Sequence, residues 1–163
     1  TWFLLGRLMI IPLGTLTGIV LAVWARAWFG ERAALVSILL WSCCPTVLAN
    51  SALVTHDFPL AAAWVVTLFL LVRFAERPTW RNAISFGVAL GVAQLTKLTA
   101  LLLGPLCLLL WFVLRVASRH EDSHAAKEPP PRTIAGMWLS VLLTAVFVIN
   151  AGYLFHGTAS LLK

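Results

Sequence analysis

The stretch that decides the fold runs from Asn82 to Leu114 and reads NAISFGVALGVAQLTKLTALLLGPLCLLLWFVL, with Lys97 as its only charged residue. As a single helix it would be about 50 Å long at about 1.5 Å per residue, whereas the hydrocarbon core of a bilayer is about 30 Å thick. Two short spanning helices that turn near residues 96–99 therefore fit better. In an alternative interpretation, one helix continues to Gly104-Pro105 and is broken there by the proline.

The composition of the whole chain is that of a membrane protein. Of its 163 residues, 61% are hydrophobic and 11% are charged, whereas about 25% of the residues of a typical soluble domain are charged. So few charges cannot coat a water-soluble domain, which excludes a soluble enzyme and a disordered tail. The net charge of +6 does not indicate a nucleic-acid-binding protein, because the basic residues lie in short islands between apolar runs.

The apolar runs predict an all-α transmembrane bundle of six spanning helices, judged against about 20 apolar residues per crossing. The predicted spans are 2–25, 33–49, 58–74, 82–96, 98–115 and 133–155. Two small-residue motifs, Gly14-x-x-x-Gly18 and Gly87-x-x-x-Gly91, predict places where helices pack closely in a membrane.

The basic residues give the orientation of these spans. Three islands hold nine of the twelve Lys and Arg residues, namely Arg26, Arg32, Arg73, Arg77, Arg81, Arg115, Arg119, Lys127 and Arg132. All three islands fall on one side, so the positive-inside rule predicts that residues 26–32, 75–81 and 116–132 are cytoplasmic. We interpret 1–163 as a single transmembrane domain, in which 116–132, with its three consecutive prolines, is a linker loop.

Both termini fall on the non-cytoplasmic side in this interpretation. The run 2–25 is too long for the h-region of a signal peptide, which has about 7–15 residues. We therefore expect at least one further helix upstream of residue 1. The expected location is the plasma (inner) membrane, with the active face on the non-cytoplasmic side.

Few charged or titratable residues remain on the non-cytoplasmic side or within the membrane. Among them are Arg7, His56, Asp57 and Lys97, and Asp57 is the only acidic residue on that side. Arg7, Asp57 and Lys97 come from three separate helix ends, which would bring two cations and one carboxylate to the same depth. An ionisable group near the bilayer centre costs about 2.5–3.5 kcal/mol on insertion scales, so such groups usually face a cavity and serve a function.

Each of these residues also has a structural interpretation. Arg7 could extend its side chain to the lipid head groups. Asp57 could cap the following helix, because Pro59 just after it favours a first helical turn. Lys97 is the hardest to explain structurally, since a turn between two short apolar helices does not need a recessed ammonium group.

Three segments together resemble the polytopic glycosyltransferases of the GT-C type, which use polyprenyl-phosphate sugars and are related to protein O-mannosyltransferases. ARAWFGERAAL (25–35) is similar to the family's cytoplasmic turn between two helices. The segment from Cys44-Pro45 to Thr55-His56-Asp57 resembles its proline-terminated helix and the loop that follows. GVALG…LTKLTA (87–100) resembles its G-x-x-x-G…T-K-x-T-A segment. The resemblance covers about residues 4–115.

The resemblance implies a helix bundle that transfers a sugar from a polyprenyl phosphate to an acceptor, without a nucleotide. By position, Arg7 and Lys97 match cations that hold the lipid phosphate, and His56, which precedes Asp57, is a further candidate for substrate binding. Asp57 matches an acidic site that takes the proton of the acceptor or binds a divalent cation. The family's main catalytic acid lies in the loop after its first helix, which we expect upstream of residue 1. The isolated chain is therefore expected to be inactive.

Two other classes of function stay open. A transporter or flippase subunit could use the same outward charges to guide an anionic substrate. A structural membrane subunit would need none of them. A transporter predicts polar or acidic residues in mid-helix, and apart from Lys97 almost none are present, which favours the transferase. The sugar, the acceptor (protein, lipid or glycan) and any metal are not indicated by the sequence.

Overall fold

Helices form all of the regular structure in the part of the chain that the computed structural model describes, which is residues 2–52, 57–121 and 130–153. In chain order they are α1 (Trp2–Phe29), α2 (Glu31–Cys43), α3 (Pro45–Ala52), α4 (Asp57–Glu76), α5 (Trp80–Thr96), a 3₁₀ helix (Leu98–Leu102), α6 (Leu103–Glu121) and α7 (Pro131–Gly152). The prediction of an all-α protein is confirmed.

The chain divides into two compact units, Thr1–Phe69 and Leu70–Lys163, and the boundary lies inside α4. That the whole chain acts as one transmembrane domain stays a prediction. Helix α6 continues past the predicted boundary at 115 to Glu121. The first part of the predicted linker 116–132 is therefore helical, because no proline occurs there to stop the helix before residue 129.

In the first unit, α1 and α2 form a hairpin joined by Gly30. Its φ of 86° lies in the region that glycine adopts without steric cost. An ion pair of 2.7 Å between Arg26 and Glu31 flanks this turn. The second helix stops at Cys44, which is extended with φ −68° and ψ 115°. The residue before a proline disfavours the helical conformation, so Pro45 ends α2 and begins α3.

In the second unit, α5 packs closely against α7. A Cβ atom added at Gly87 would lie 2.8 Å from the carbonyl oxygen of Val141, and one at Gly91 would lie 2.8 Å from the Cβ atom of Val148. Only residues without a side chain allow the two backbones to approach this closely. The small-residue motif at 87–91 therefore marks a helix contact, as predicted.

Four helices are long and apolar enough to cross a membrane, within the residues that the structure describes. Their spans are Ile10–Phe29, Asp57–Glu76, Thr99–Val116 and Arg132–Gly152. The predicted count of six was too high by this measure. Segment 33–49 is interrupted at Cys44, and α5 has 17 residues, against about 20 needed for a crossing.

The helices of the chain expose an apolar surface that is typical of an integral membrane protein, and α2 shows it most clearly. Helix α2 buries none of its residues, and its aliphatic side chains lie on the surface, with Leu35 70% and Leu40 66% exposed. A water-soluble protein rarely exposes such a continuous apolar surface. Lipid chains or further helices would cover it at no cost.

Candidate functional site

Asp57 is the first residue of α4, and its side chain is exposed. A carboxylate in the first turn of a helix is stabilised by the partial positive charge of the helix N-terminus. Pro59 lies in the same turn, where its missing N–H costs nothing. Asp57 thus lies within the first turn of α4, so its interpretation as a helix cap and its role at the site both stay predictions.

Trp41 in α2 contacts both α1 and the start of α4. Phe58, which follows Asp57, is buried, and its ring centroid lies 6.4 Å from that of Trp41. The indole N–H of Trp41 donates a hydrogen bond of 3.0 Å to the carbonyl oxygen of Gly14 in α1. A Cβ atom at Gly18 would lie 2.7 Å from Trp41 Cδ1. The predicted motif Gly14-x-x-x-Gly18 therefore leaves space for the indole ring of Trp41.

Two grooves of the first unit lie beside Trp41. One has a volume of about 580 Å³ and is lined mainly by apolar side chains, which include Trp24, Trp28 and Leu40. The other has a volume of about 320 Å³, and its lining includes Ile11 and Gly14. Both are open on the surface of the hairpin, so an elongated apolar molecule could lie in either of them.

Arg7 lies at the same end of the first unit as Asp57. The backbone of Arg7 is in α1, about two turns before Gly14, and Gly14 is linked through Trp41 to Phe58. The turn at Gly30 lies at the opposite end. The side chain of Arg7 and all of His56 lie outside the described residues, so their predicted roles stay predictions.

Lys97 lies in a sharp turn of the second unit. Helix α5 ends at Thr96, and Lys97 is exposed and extended, with φ −163° and ψ 143°. The turn predicted at residues 96–99 is confirmed, and the alternative of a continuous helix to Gly104-Pro105 is wrong. The span that follows begins at Thr99, which places the ammonium group of Lys97 at a helix end.

Hydrogen bonds fix the backbone of this turn. Gln94 Nε2 donates to the carbonyl oxygen of Ala100 at 2.7 Å, and the N–H of Ala100 donates to the carbonyl oxygen of Lys97 at 3.0 Å. Because Gln94 bridges the two sides of the turn, the position from which the Lys97 side chain extends is defined. A lone amide in an apolar run is the sequence signal that would have pointed to Gln94.

The structure gives the positions of Asp57, at the start of α4, and of Lys97, at the end of α5, whereas the predicted site roles stay predictions. It brings the backbone of Arg7 and Asp57 to one end of the first unit, and Lys97 belongs to the second. Among the described residues, no group of three His, Cys, Asp or Glu side chains comes together to hold a metal ion. A carboxylate and an ammonium group at helix ends can bind a proton-donating acceptor and an anion, respectively.

The comparison with protein families gives one finding. The sequence profile of a family described as dolichyl-phosphate-mannose-protein mannosyltransferase matches residues 4–151. No curated protein and no solved structure matches the chain significantly. The match includes all four helices that can cross a membrane, apart from the last residue of the fourth.

Proposed function

Since the chain belongs to the dolichyl-phosphate-mannose-protein mannosyltransferase family, we propose that it acts in transfer of a sugar from a polyprenyl phosphate to an acceptor on the non-cytoplasmic side of the membrane. Membership makes it a membrane glycosyltransferase of the mannosyltransferase kind. The proposal further specifies that the sugar donor is lipid-linked, that transfer occurs on the non-cytoplasmic face, and which residues take part. The observation that supports it is that Asp57 lies at the start of α4 and Lys97 at the end of α5, each away from the arginine-rich end of its unit.

In each unit, the proposed site residue lies at the end opposite to an arginine-rich turn. Asp57 begins α4, whereas Arg26 lies by the turn at Gly30. Lys97 ends α5, whereas Arg81 lies at its start. With the arginine-rich ends in the cytoplasm by the positive-inside rule, Asp57 and Lys97 both lie on the non-cytoplasmic side.

The proposed chemistry is a displacement at the anomeric carbon of the sugar. A hydroxyl oxygen of the acceptor forms the new bond to that carbon, while the bond from the carbon to the phosphate oxygen breaks. The polyprenyl phosphate leaves with the electron pair of that bond. A carboxylate takes the hydroxyl proton, and cations stabilise the phosphate as its charge increases.

We assign Asp57 to orient the acceptor or a divalent cation, and Lys97 to neutralise the phosphate of the lipid. Arg7 and His56 are assigned as further contacts to the donor. A fixed cation stabilises a leaving phosphate more strongly in a water-poor site than in bulk water. The apolar grooves beside Trp41 offer a surface of the kind that an isoprenoid chain covers.

The transferase is tested with a polyprenyl-phosphate mannose that carries a radiolabel in the sugar. The donor is added to membranes that contain the complete protein, with no nucleotide sugar. A transferase moves the label from the lipid extract into a covalent product that organic solvent does not extract. A flippase leaves the label on the lipid and moves it across the bilayer, and a structural subunit does neither. Either of these results would contradict the proposal.

A further inference from the structure

Five arginines come together at one end of the second unit. We call this set, Arg73, Arg77, Arg81, Arg115 and Arg132, the basic end. The amide of Asn82 in α5 donates hydrogen bonds to the carbonyl oxygens of Arg77 at 2.8 Å and Arg73 at 3.3 Å. These bonds tie the end of α4 to the start of α5 and bring three of the five arginines to adjacent helix ends.

Aromatic rings bring the other two helices to the same end. The ring centroid of Trp138 in α7 lies 5.4 Å from that of Trp111 in α6 and 6.0 Å from that of Phe86 in α5. Near the start of α7, the position of a Cβ atom on Gly136 is 3.3 Å from the Trp80 ring. The end of α6, with Arg115, and the start of α7, with Arg132, therefore lie beside the start of α5.

The guanidinium group of Arg115 lies over an aromatic ring. Its Cζ atom is 5.7 Å from the centroid of the Trp111 ring, and the residue is half-buried, whereas the other four arginines are exposed. A cation–π contact of this kind limits the orientations of the guanidinium plane. Among the side chains that the structure describes at this end, the one carboxylate is that of Glu76, so positive charge dominates.

The basic end lies where the spans leave the membrane. The spans Asp57–Glu76 and Thr99–Val116 finish there, and the span Arg132–Gly152 starts there. If these span ends mark the membrane surface, the guanidinium groups reach the level of the lipid head groups. We propose that the basic end binds the head group of an anionic phospholipid, with Arg115 and Arg81 as its main contacts from α6 and α5.

The chemistry of the partner follows from the charges. Guanidinium groups bind phosphate oxygens through paired hydrogen bonds, which ammonium groups do not provide in a fixed geometry. Basic pockets between membrane helices bind anionic head groups in the same way. This surface lies at the end of the second unit opposite to Lys97, so the inference does not depend on the proposed transferase.

The first unit offers a matched control. Arg26 and Arg32 flank its turn, so that a pair of charges can be removed there as well. Arg26 already has a carboxylate partner, because its Nη2 lies 2.7 Å from Oε1 of Glu31. The neighbouring rings of Trp24, Trp28 and Phe29 contact one another, so the control pair differs from the Arg81 and Arg115 pair in its carboxylate partner and not in a lack of aromatic residues. Removal of this pair should therefore have little effect on a phospholipid.

The test is a titration of the purified chain in neutral detergent with phosphatidylglycerol or phosphatidylcholine, followed by native mass spectrometry. The dissociation constant of the wild-type protein should be lower for phosphatidylglycerol than for phosphatidylcholine by a factor of about ten or more. Replacement of Arg81 and Arg115 together by glutamine should weaken this binding about 25-fold, at about fivefold per charge. Replacement of both by lysine should lose less, because the charges remain. Arg26→Gln with Arg32→Gln should change binding less than about twofold.

Two results of this titration would overturn the inference. One is a wild type that does not distinguish the two phospholipids. The other is an equal loss in the control pair and in the Arg81 and Arg115 pair. If the glutamine pair does not fold, the wild type still decides, because binding through charges must weaken as salt is raised. If the preference for phosphatidylglycerol did not change with salt concentration, the charges of the basic end could not be its cause.

Discussion

The indole N–H of Trp41 donates a hydrogen bond of 3.0 Å to the carbonyl oxygen of Gly14, from one helix of the first hairpin to the other. The same ring lies against Phe58, the residue after Asp57. Trp41 thus connects α1, α2 and α4 through one side chain. Asp57, whose carboxylate is assigned to the acceptor, directly precedes the residue that Trp41 contacts in α4. The site is positioned by a contact that is remote from it in sequence.

Replacement of Trp41 by phenylalanine should destabilise the protein by about 1 kcal/mol. The ring contact with Phe58 is largely kept, but the bond to Gly14 is lost, and bonds between membrane helices contribute about 0.6–1.7 kcal/mol. The measurement is the free energy of unfolding in bicelles. As a control, Thr15→Val removes a bond of equal length, 3.0 Å, to the carbonyl oxygen of Ile11 within α1. An equal loss in the two variants would contradict a special role of Trp41.

Gly87→Ala should destabilise the second unit by about 1–3 kcal/mol, because the new methyl group would lie 2.8 Å from the Val141 carbonyl oxygen and force the helices apart. Gly104 offers the matched control, since no atom lies within 4 Å of a Cβ atom there. Gly104→Ala should leave the free energy of unfolding unchanged within about 0.5 kcal/mol. If both variants unfold alike, α5 and α7 do not pack as described.

The sequence predicted the parts of the fold that depend on length and local chemistry. The turn at Lys97 followed from the length of the run 82–114, because one helix of that length does not fit a bilayer. The predicted span 33–49 ran through the interruption at Cys44 because hydropathy alone does not register the break that Pro45 imposes, although the family resemblance implied a proline-terminated helix there. Two of the six predicted spans, 33–49 and 82–96, form helices that are shorter than the length needed to cross a membrane.

Contacts between distant residues could not be predicted in the same way. Trp41 and Gly14 are 27 positions apart, and nothing local distinguishes an indole that binds another helix from one that faces lipid. Trp138 falls in the predicted span 133–155, and nothing in the sequence shows that it packs among Phe74, Phe86 and Trp111. For the site, the sequence named Asp57 and Lys97 but not Trp41 and Gln94, which hold the backbone around them.

The predicted orientation can be tested with single cysteines in a chain whose Cys43, Cys44 and Cys107 are replaced by alanine. Ser123→Cys, in the predicted cytoplasmic segment 116–132, should react with an impermeant maleimide only after the membrane is opened. Tyr153→Cys, which follows α7, should react from outside in intact cells. A Ser123 position that is labelled only from outside would reverse the orientation, and with it the proposed face of the site.

Lys97→Ala should lower sugar transfer by the complete protein by orders of magnitude, because a fixed cation would no longer offset the charge of the leaving phosphate. The amount inserted in the membrane should not fall, since removal of a charge near the apolar core eases insertion. Lys97→Arg should restore part of the activity. Arg26→Ala removes a charge beside the turn at Gly30 in the first unit and should leave the rate within about twofold. Equal rates for Lys97→Ala and wild type would exclude a role of Lys97 at the phosphate.

The central claim is tested most directly by the rate of sugar transfer of Asp57→Asn in the complete protein. In the first turn of an exposed helix end, the loss of the carboxylate costs only about 0.3–1 kcal/mol, so the fold should be kept, whereas the charge for the acceptor or a cation is lost. The matched control is Glu31→Gln, because Glu31 is also an acid in the first turn of a helix. We predict a fall of about 100-fold or more for Asp57→Asn and a change of less than about twofold for Glu31→Gln. Transfer by Asp57→Asn at the wild-type rate would show that Asp57 only starts a helix.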